Sequence, residues 1–337
     1  MPWPNVTITT DSGESREAVA PLIISASRST DIPAFYGEWF LRRLDAGYVR
    51  WINPFSGKPM FVSLRQARLF VFWSKNPRPF LPLLKELDRR NLRYYFQVTL
   101  NDYESEGLEK GVPPLAERID TFKQLAGLIG RERVIWRFDP LLLTDTLSPG
   151  DLLLRVRRIG NELAGYTERL TVSFITLYAK ASRNLKLAGI RIRAWDHASR
   201  ATVLKGIGDY ARTWNMRAVS CAEENNYGRY GIAQGKCVDD ALIARLFGRD
   251  EELTGFLKRG GGIKDKGQRP HCRCIVSKDI GSYDTCGHHC IYCYANASPQ
   301  RTGENLRRRH TIESDSIIPH SSLRCLRPAR RARFLQD

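Results

Sequence analysis

The chain has 337 residues, of which 42% are hydrophobic and 26% are charged. This length and composition fit one large α/β domain or two smaller ones, and they are not typical of a disordered protein. Because no run approaches the roughly 18 apolar residues of a membrane helix and residues 1–10 do not resemble a signal peptide, we expect a cytoplasmic protein without a membrane partner.

The net charge of +17 raises the question of a nucleic-acid partner. Nine arginines and four acidic residues fall in residues 299–337, which we interpret as a basic, Arg-rich C-terminal tail. The remaining positive excess is spread along the chain. Nucleic-acid binding is therefore an alternative with only the charge in its favour.

Apolar, β-branched and aromatic runs alternate with helical patterns along residues 1–298. The predicted strands are residues 21–27, 48–53, 69–73, 94–100, 133–138, 170–175, 216–221 and 275–280. The predicted helices are residues 33–46, 79–90, 114–129, 149–164 and 198–215. The alternation predicts an α/β fold, a single (β/α) TIM-like barrel domain, with a doubly wound open sheet as the alternative.

Polar residues follow most of the predicted strands. They occupy residues 27–31, 53–54, 74–76, 99–101, 137–139 and 221–225. Because the carboxyl ends of barrel strands form the active-site face, we expect a polar site there. The candidate catalytic residues are Lys75, Arg137, Asp139 and Glu223. Arg137 could bind an anionic group, or it could form a buried ion pair with Asp139.

Five of the eight cysteines fall in the cysteine-rich segment 272–296. Cys286, Cys290 and Cys293 form C-x3-C-x2-C, a spacing that suits three corners of a [4Fe–4S] cluster with one iron left open. An open iron can bind S-adenosylmethionine (SAM), whose one-electron cleavage gives a 5′-deoxyadenosyl radical. The alternatives are an electron-transfer cluster, or a zinc site that includes nearby cysteines, His288 or His289. We otherwise expect the two histidines to be exposed to solvent.

The C-x3-C-x2-C motif with Tyr292 before its last cysteine resembles the radical SAM superfamily. The resemblance implies that Cys286, Cys290 and Cys293 hold the cluster and that Tyr292 contacts the SAM adenine. It also implies an electron donor such as a ferredoxin or flavodoxin, and a role for Glu223 at a SAM ribose hydroxyl.

A second resemblance covers nearly the whole chain. It is carried by residues 24–39 (ISASRSTDIPAFYGEW), 71–77 (VFWSKNP), 134–143 (VIWRFDPLLL), 221–224 (CAEE) and 279–296 (DIGSYDTCGHHCIYCYAN). These segments resemble an uncharacterised bacterial family, domain of unknown function 1848, which carries a radical SAM-like motif near its C-terminus.

In radical SAM enzymes the motif follows the first barrel strand, whereas here it follows the last predicted strand. A permuted barrel would resolve the difference by placing the last strand beside the first. Residues 25–31 would then stand where SAM amino-group contacts usually lie, which makes Ser25, Ser27 and Asp31 candidate cofactor contacts.

Four further cysteines, Cys221, Cys237, Cys272 and Cys274, could form a second site for zinc or an auxiliary iron–sulfur cluster. The alternative is that Cys221 is a packed core thiol and the others are free. Cys325 stands alone in the basic tail.

The sequence thus predicts a radical SAM-like iron–sulfur enzyme that reductively cleaves SAM and acts on an unknown substrate. The alternative is a non-catalytic iron–sulfur or zinc protein associated with nucleic acid.

Overall fold

The computed structural model describes residues 3–260 and 263–318, which form two sheets and the helices around them. The strands are β1 (Asn5–Thr9), β2 (Ser15–Val19), β3 (Ile23–Ala26), β4 (Tyr48–Ile52), β5 (Pro59–Ser63), β6 (Leu69–Ser74), β7 (Arg93–Thr99), β8 (Val134–Leu141), β9 (Arg169–Phe174), β10 (Arg217–Cys221), β11 (Ala233–Gly235) and β12 (Lys278–Asp279).

The helices lie between and around these strands. They are α1 (Ile32–Phe35), α2 (Gly37–Ala46), α3 (Leu84–Arg89), α4 (Leu115–Ile129), α5 (Pro149–Leu163), α6 (Ala179–Leu187), α7 (His197–Thr213), α8 (Asp240–Phe247), α9 (Glu251–Gly260) and α10 (Pro299–Glu304). Short 3₁₀ segments cover Arg78–Leu83, Arg131–Arg133 and Gly228–Tyr230, and Asn305–Arg309 forms a π-helical turn.

The larger sheet has eight parallel strands in the order β11-β10-β9-β8-β7-β6-β3-β12. Its central strands read as continuous apolar runs because helices and loops bury both of their faces. The predicted α/β class is therefore confirmed. The last strand, β12, lies beside β3, the first strand of the parallel sheet, with Lys278 opposite Ile24 and Asp279 opposite Ser25.

Two strand predictions differ from the structure. Residues 48–53 were expected in the parallel sheet, but β4 pairs antiparallel with β5 in a second sheet of order β1-β2-β5-β4. The polar residues 53–54 therefore do not follow a strand of the parallel sheet. The eighth parallel strand is instead β11, whose sequence Ala-Gln-Gly carries no apolar run and gave no strand signal.

Two helix predictions also differ. The helix expected over residues 33–46 is divided at Tyr36 into α1 and α2, and the Tyr36 hydroxyl donates to the carbonyl of Thr285 over 2.6 Å. The helix expected over residues 79–90 begins as a 3₁₀ segment because Pro82 lies inside it and cannot donate a backbone hydrogen bond.

The longest helices cover the parallel sheet through their apolar faces. Helix α5 begins with a capping box between Ser148 and Asp151 and buries Leu152, Val156 and Ile159. Its Gly160 allows Trp214 to pack closely, since a Cβ at this glycine would lie 2.1 Å from the indole ring.

Residues 299–318, the first part of the predicted basic tail, pack against the N-terminal half of the chain. The indole of Trp39 donates to the carbonyl of Ser314 over 2.8 Å, and Arg50 pairs with the Asp315 carboxylate at 2.9 Å. The rest of that tail, including Cys325, lies outside the described residues. Within the described residues, no helix is both long and apolar enough to cross a membrane.

Candidate functional site

A cavity of about 690 Å³ opens at the carboxyl ends of the parallel strands. Residues in the last part of these strands or just after them line it, namely Ser27, Ser74, Lys75, Thr99, Arg137, Asp139, Ser173, Cys221 and Asp279. Parallel strands end at one edge of a sheet, and this edge is where ligands bind in α/β folds. The polar groups that follow separate strands in the sequence therefore meet in one site.

Cys286, Cys290 and Cys293 also line this cavity, on the loop that follows β12. Backbone hydrogen bonds fasten that loop to residues 108–111. The amide of Ile291 donates to the carbonyl of Leu108 over 2.9 Å, and the amide of Gly111 donates to the carbonyl of His288 over 2.9 Å. The loop is thus held against the sheet edge by ladder-like pairing to a segment far away in the sequence.

Cys290 is buried, Cys286 and Cys293 are partly buried, and none of the three is in a disulfide. Loss of contact with water raises the pKa of each thiol. Thiols with raised pKa values stay protonated at neutral pH unless a bound cation stabilises the thiolate. The Sγ of Cys293 accepts a hydrogen bond from the amide of Ala295 over 3.3 Å, a contact that favours a charged sulfur. Three thiols opening on one cavity are a donor set that fits three corners of an iron–sulfur cluster.

The described residues contain no group of three or more His, Cys, Asp or Glu side chains arranged to hold a metal ion. In a cubane cluster each thiolate binds a different iron, so the sulfurs do not converge on one point as they do around a single zinc ion.

The carboxylate of Asp31 connects the cysteine loop to the first strands of the parallel sheet. It accepts hydrogen bonds from the Ala34 amide at 2.9 Å and the Ser74 hydroxyl at 3.0 Å. The amide of Lys75 and Nε2 of His288 both lie 2.7 Å from it. Asp31, a candidate SAM contact, therefore already has four partners within the protein.

His288 is only 2% exposed, so the prediction that it faces solvent is wrong. Both ring nitrogens face oxygens, Nε2 the Asp31 carboxylate and Nδ1 the Gly111 carbonyl, and the ring packs on Phe35. His289 is half-buried rather than exposed, and burial lowers its pKa.

The two candidate serines on β3 and its loop lie in different places. The Ser25 hydroxyl is buried and accepts from the indole of Trp73 over 2.9 Å, and Ser25 is not among the residues that line the cavity. Ser27 does line the cavity, and its hydroxyl accepts from the amides of Ser29 and Thr30. Asp279 on β12 holds this loop through the amide of Arg28 at 2.7 Å.

Lys75 and Tyr292 meet at a buried carboxylate that the sequence did not indicate, that of Glu109. Lys75 Nζ lies 2.6 Å from this carboxylate and 3.1 Å from the Tyr292 hydroxyl, which itself donates to Glu109. Asn101 donates to the same carboxylate over 3.1 Å, and Arg118 lies 3.8 Å from it. The lysine, the tyrosine and the cysteine loop are therefore joined in one network beside Cys290.

Opposite charges decide the protonation of this network. Burial alone would raise the pKa of Glu109, but Lys75 and Arg118 lower it to about 2. Burial alone would lower the pKa of Lys75, yet the Glu109 carboxylate raises it. Both groups are charged at neutral pH, so a lysine cation lies next to the cysteine loop.

Arg137 and Asp139 form an ion pair in the cavity wall, and the Asp139 carboxylate also accepts from the Ser173 hydroxyl. Arg137 Nη1 donates to the Cys237 sulfur over 2.7 Å, and its guanidinium stacks on Trp73. Although burial opposes ionisation of Asp139, the Arg137 charge lowers the pKa of that carboxyl. Arg137 therefore forms the expected buried ion pair with Asp139, and it also lines the cavity, where an anionic group could reach it.

Glu223 does not lie among the residues that line the cavity. Its carboxylate accepts from the amide of Phe174 over 2.9 Å and from the hydroxyl of Tyr227 over 3.1 Å, and burial raises its pKa. The structure thus gives Glu223 two partners within the protein, behind the wall of the site.

A family model described as "Domain of unknown function (DUF1848)" matches residues 23–295, more than half of the chain. The chain belongs to the DUF1848 family. The DUF1848 match begins at β3 and ends two residues after Cys293, so it contains the whole parallel sheet and all seven described cysteines. No curated protein and no solved structure matches the chain.

Within the DUF1848 site, the sequence did not indicate Glu109 or Asp279. It also did not indicate that Asn101 contacts Tyr292. Asp279 falls within the last predicted strand. The predicted position of that strand beside the first one could have indicated Asp279, because Asp279 pairs with Ser25. Glu109 lies in a loop between β7 and α4, and no spacing or periodicity connects it to Tyr292, which is 183 residues away.

Proposed function

We propose that this DUF1848 protein is a radical SAM-like enzyme, with a [4Fe–4S] cluster on Cys286, Cys290 and Cys293 and an unknown substrate in the cavity above the sheet. The observation that carries the proposal is that all three thiols open onto that cavity, at the carboxyl ends of the strands. When bound together, the cluster and SAM would supply a one-electron cleavage that starts radical chemistry.

The residues around the cysteine loop would bind and orient SAM. The Tyr292 ring lines the cavity next to Cys293 and offers a face for the adenine, while its hydroxyl is fixed by Glu109. Ser27, at the end of β3, faces the same space. Asp31 and Ser25 would act by holding the loop and Trp73 in place, because their polar atoms already have partners.

Two arginines in the cavity wall suit an anionic or polar substrate group. Arg137 and Arg269 line the cavity, and Asp139 balances the charge of Arg137. Aromatic side chains of Trp73, Phe174 and Tyr178 line the space between the polar groups and would exclude water from a reactive intermediate.

We further propose that the parallel sheet is a permuted barrel. Two observations support closure. The last strand, β12, pairs with β3, so the cysteine loop follows a strand beside the first one. On the other side, the amide of Ile275, just before β12, donates to the carbonyl of Val238, just after β11, over 3.1 Å. A ferredoxin or flavodoxin is the class of donor that would supply the electron.

The test begins with iron and sulfide content after anaerobic reconstitution. We expect Cys290→Ala to lose the iron bound at the motif, whereas His289→Ala, which changes a half-buried loop residue, keeps it. Addition of SAM to the reduced wild-type protein should change the electron paramagnetic resonance signal of the cluster, because SAM binds its open iron.

Three results would contradict the proposal. One is zinc in place of iron at the motif, with His289 required for binding. Another is an iron content in Cys290→Ala equal to that of the wild type. The third is a reduced cluster whose signal does not respond to SAM.

A further inference from the structure

A second group of cysteines, from separate parts of the chain, also lines the cavity. Cys221 ends β10, Cys237 follows β11 by two residues, and Cys272 and Cys274 lie in the segment that leads to β12. All four are buried, none is in a disulfide, and all line the cavity. Two of these segments stand at opposite ends of the order of the parallel sheet.

The four cysteine side chains belong to one buried cluster. Within it, the Sγ atoms of Cys221 and Cys237 are 3.1 Å apart. The Cys274 sulfur also accepts from the amides of Cys237 and Val238 over 3.2 and 3.4 Å. Amide donors of this kind stabilise a thiolate, and they are common around metal-bound cysteine sulfur.

Positive charge surrounds these sulfurs. Arg137 Nη1 donates to Cys237 over 2.7 Å, and Arg28 lies close enough to Cys274 to interact with it electrostatically. Nη2 of Arg28 is buried and has no hydrogen-bond partner among residues 3–260 and 263–318. The Asp265 carboxylate, 3.7 Å from Nη1 of Arg28, balances part of this charge, and a thiolate centre with net negative charge would add to that balance.

We propose that Cys221, Cys237, Cys272 and Cys274 form a second, four-thiolate centre for a thiophilic metal, either a zinc ion or an auxiliary iron–sulfur cluster. Zinc–sulfur bonds of about 2.3 Å in a tetrahedron hold two sulfurs about 3.8 Å apart, farther than the 3.1 Å between Cys221 and Cys237. Because the described residues hold no three of these groups arranged around a metal, the cysteine side chains would have to rotate to bind zinc or a cluster.

The position of the centre gives it a structural consequence. It would join the end of β10 and the residues after β11 to the residues before β12, where the Ile275 amide already meets the Val238 carbonyl. The metal would therefore fasten the two ends of the parallel sheet together, independently of any reaction at Cys286, Cys290 and Cys293.

The test uses a triple variant, C286A/C290A/C293A, purified without oxygen, so that only the second site can bind metal. We expect this variant to retain either about one zinc or about four irons with matching sulfide per chain, and these two results distinguish the two metals. Adding Cys237→Ala and Cys274→Ala should remove that metal. A chelator that strips the triple variant should lower its melting temperature.

A metal-free triple variant with the melting temperature of the wild type would overturn the proposal. So would a Cys221–Cys237 disulfide in the anaerobic protein, because that bond removes two ligands.

If the five-site variant does not fold, Co²⁺ binding to the metal-stripped triple variant tests the site instead. Thiolate-to-cobalt absorption with tetrahedral bands supports the site, and a spectrum of hydrated Co²⁺ contradicts it. Neither result depends on whether the motif cleaves SAM.

Discussion

At the scale of single residues, the site is organised by two buried carboxylates, Asp31 and Glu109. Each gathers donors from segments that are far apart in sequence, since Asp31 meets His288 across 257 residues and Glu109 joins Lys75 to Tyr292. Because each carboxylate accepts several hydrogen bonds in a buried position, it fixes the cysteine loop relative to β6 and β7.

The low pKa of Glu109 predicts a loss of stability in acid. Its folded-state pKa of about 2 lies below the unfolded value of 4.5, so its contribution is present above pH 4.5 and is lost as the pH falls toward 2. Between pH 5 and pH 3 this carboxyl alone should lower the free energy of unfolding by about 2 kcal/mol.

Urea unfolding of metal-free protein at both pH values measures this effect. Glu109→Gln should remove that part of the pH dependence, whereas Glu38→Gln, which changes an exposed side chain on α2, should leave it intact. An unchanged pH dependence in Glu109→Gln would show that the Lys75 and Arg118 charges do not act on this carboxyl.

The positions of the polar groups could be predicted from the sequence, and their partners could not. Parallel strands of a barrel end at one face, so Lys75, Arg137 and Asp139 were expected in one polar site because each falls at the end of a predicted strand. The contact of Tyr292 with Glu109 depends on how two loops pack, and local spacing does not encode that. The burial of His288 has the same origin, because its partner Asp31 lies on another strand's loop.

At the scale of elements, the edges of the parallel sheet are held by packing rather than by long strands. Helix α7 lies against the 3₁₀ segment Gly228–Tyr230, which connects β10 to β11, and Gly208 makes the close approach possible. A Cβ at Gly208 would lie 1.7 Å from the carbonyl oxygen of Tyr230. Because this oxygen belongs to the backbone, it cannot move aside as the end of a flexible side chain could.

Two helical glycines should therefore respond to alanine in opposite directions. Gly208→Ala should destabilise the protein by about 2 kcal/mol, because the helix must shift away from Tyr230. Gly127→Ala in α4, where a Cβ meets no atom within 4 Å, should stabilise it by about 0.5–1 kcal/mol through helix propensity. Urea denaturation midpoints give both values, and equal effects at the two positions would contradict the packing seen here.

Element prediction succeeded where the apolar pattern was long. Strands β6 to β10 were anticipated because their runs are buried on both faces. The three residues of β11 and the two of β12 are too short to show any period, and their pairing is set by neighbouring strands. The strand β4 has a convincing pattern, but pattern alone does not decide which sheet a strand joins.

At the scale of the whole molecule, the order of the strands in the parallel sheet explains why a motif near residue 290 lies near β3, the first strand of that sheet. Because β12 lies beside β3, the cysteine loop and the loop after β3 line the same cavity. The second cysteine group also lines that cavity, and two of its members lie next to the hydrogen bond between the Ile275 amide and the Val238 carbonyl. The two groups of thiols thus share one space but belong to different parts of the sheet.

The most direct test of the central proposal is the formation of 5′-deoxyadenosine. Wild-type protein reconstituted with iron and sulfide, then reduced without oxygen in the presence of SAM, should release this product, and Cys290→Ala treated in the same way should release none. A wild-type protein with an intact [4Fe–4S] cluster that yields no 5′-deoxyadenosine would contradict the radical SAM account.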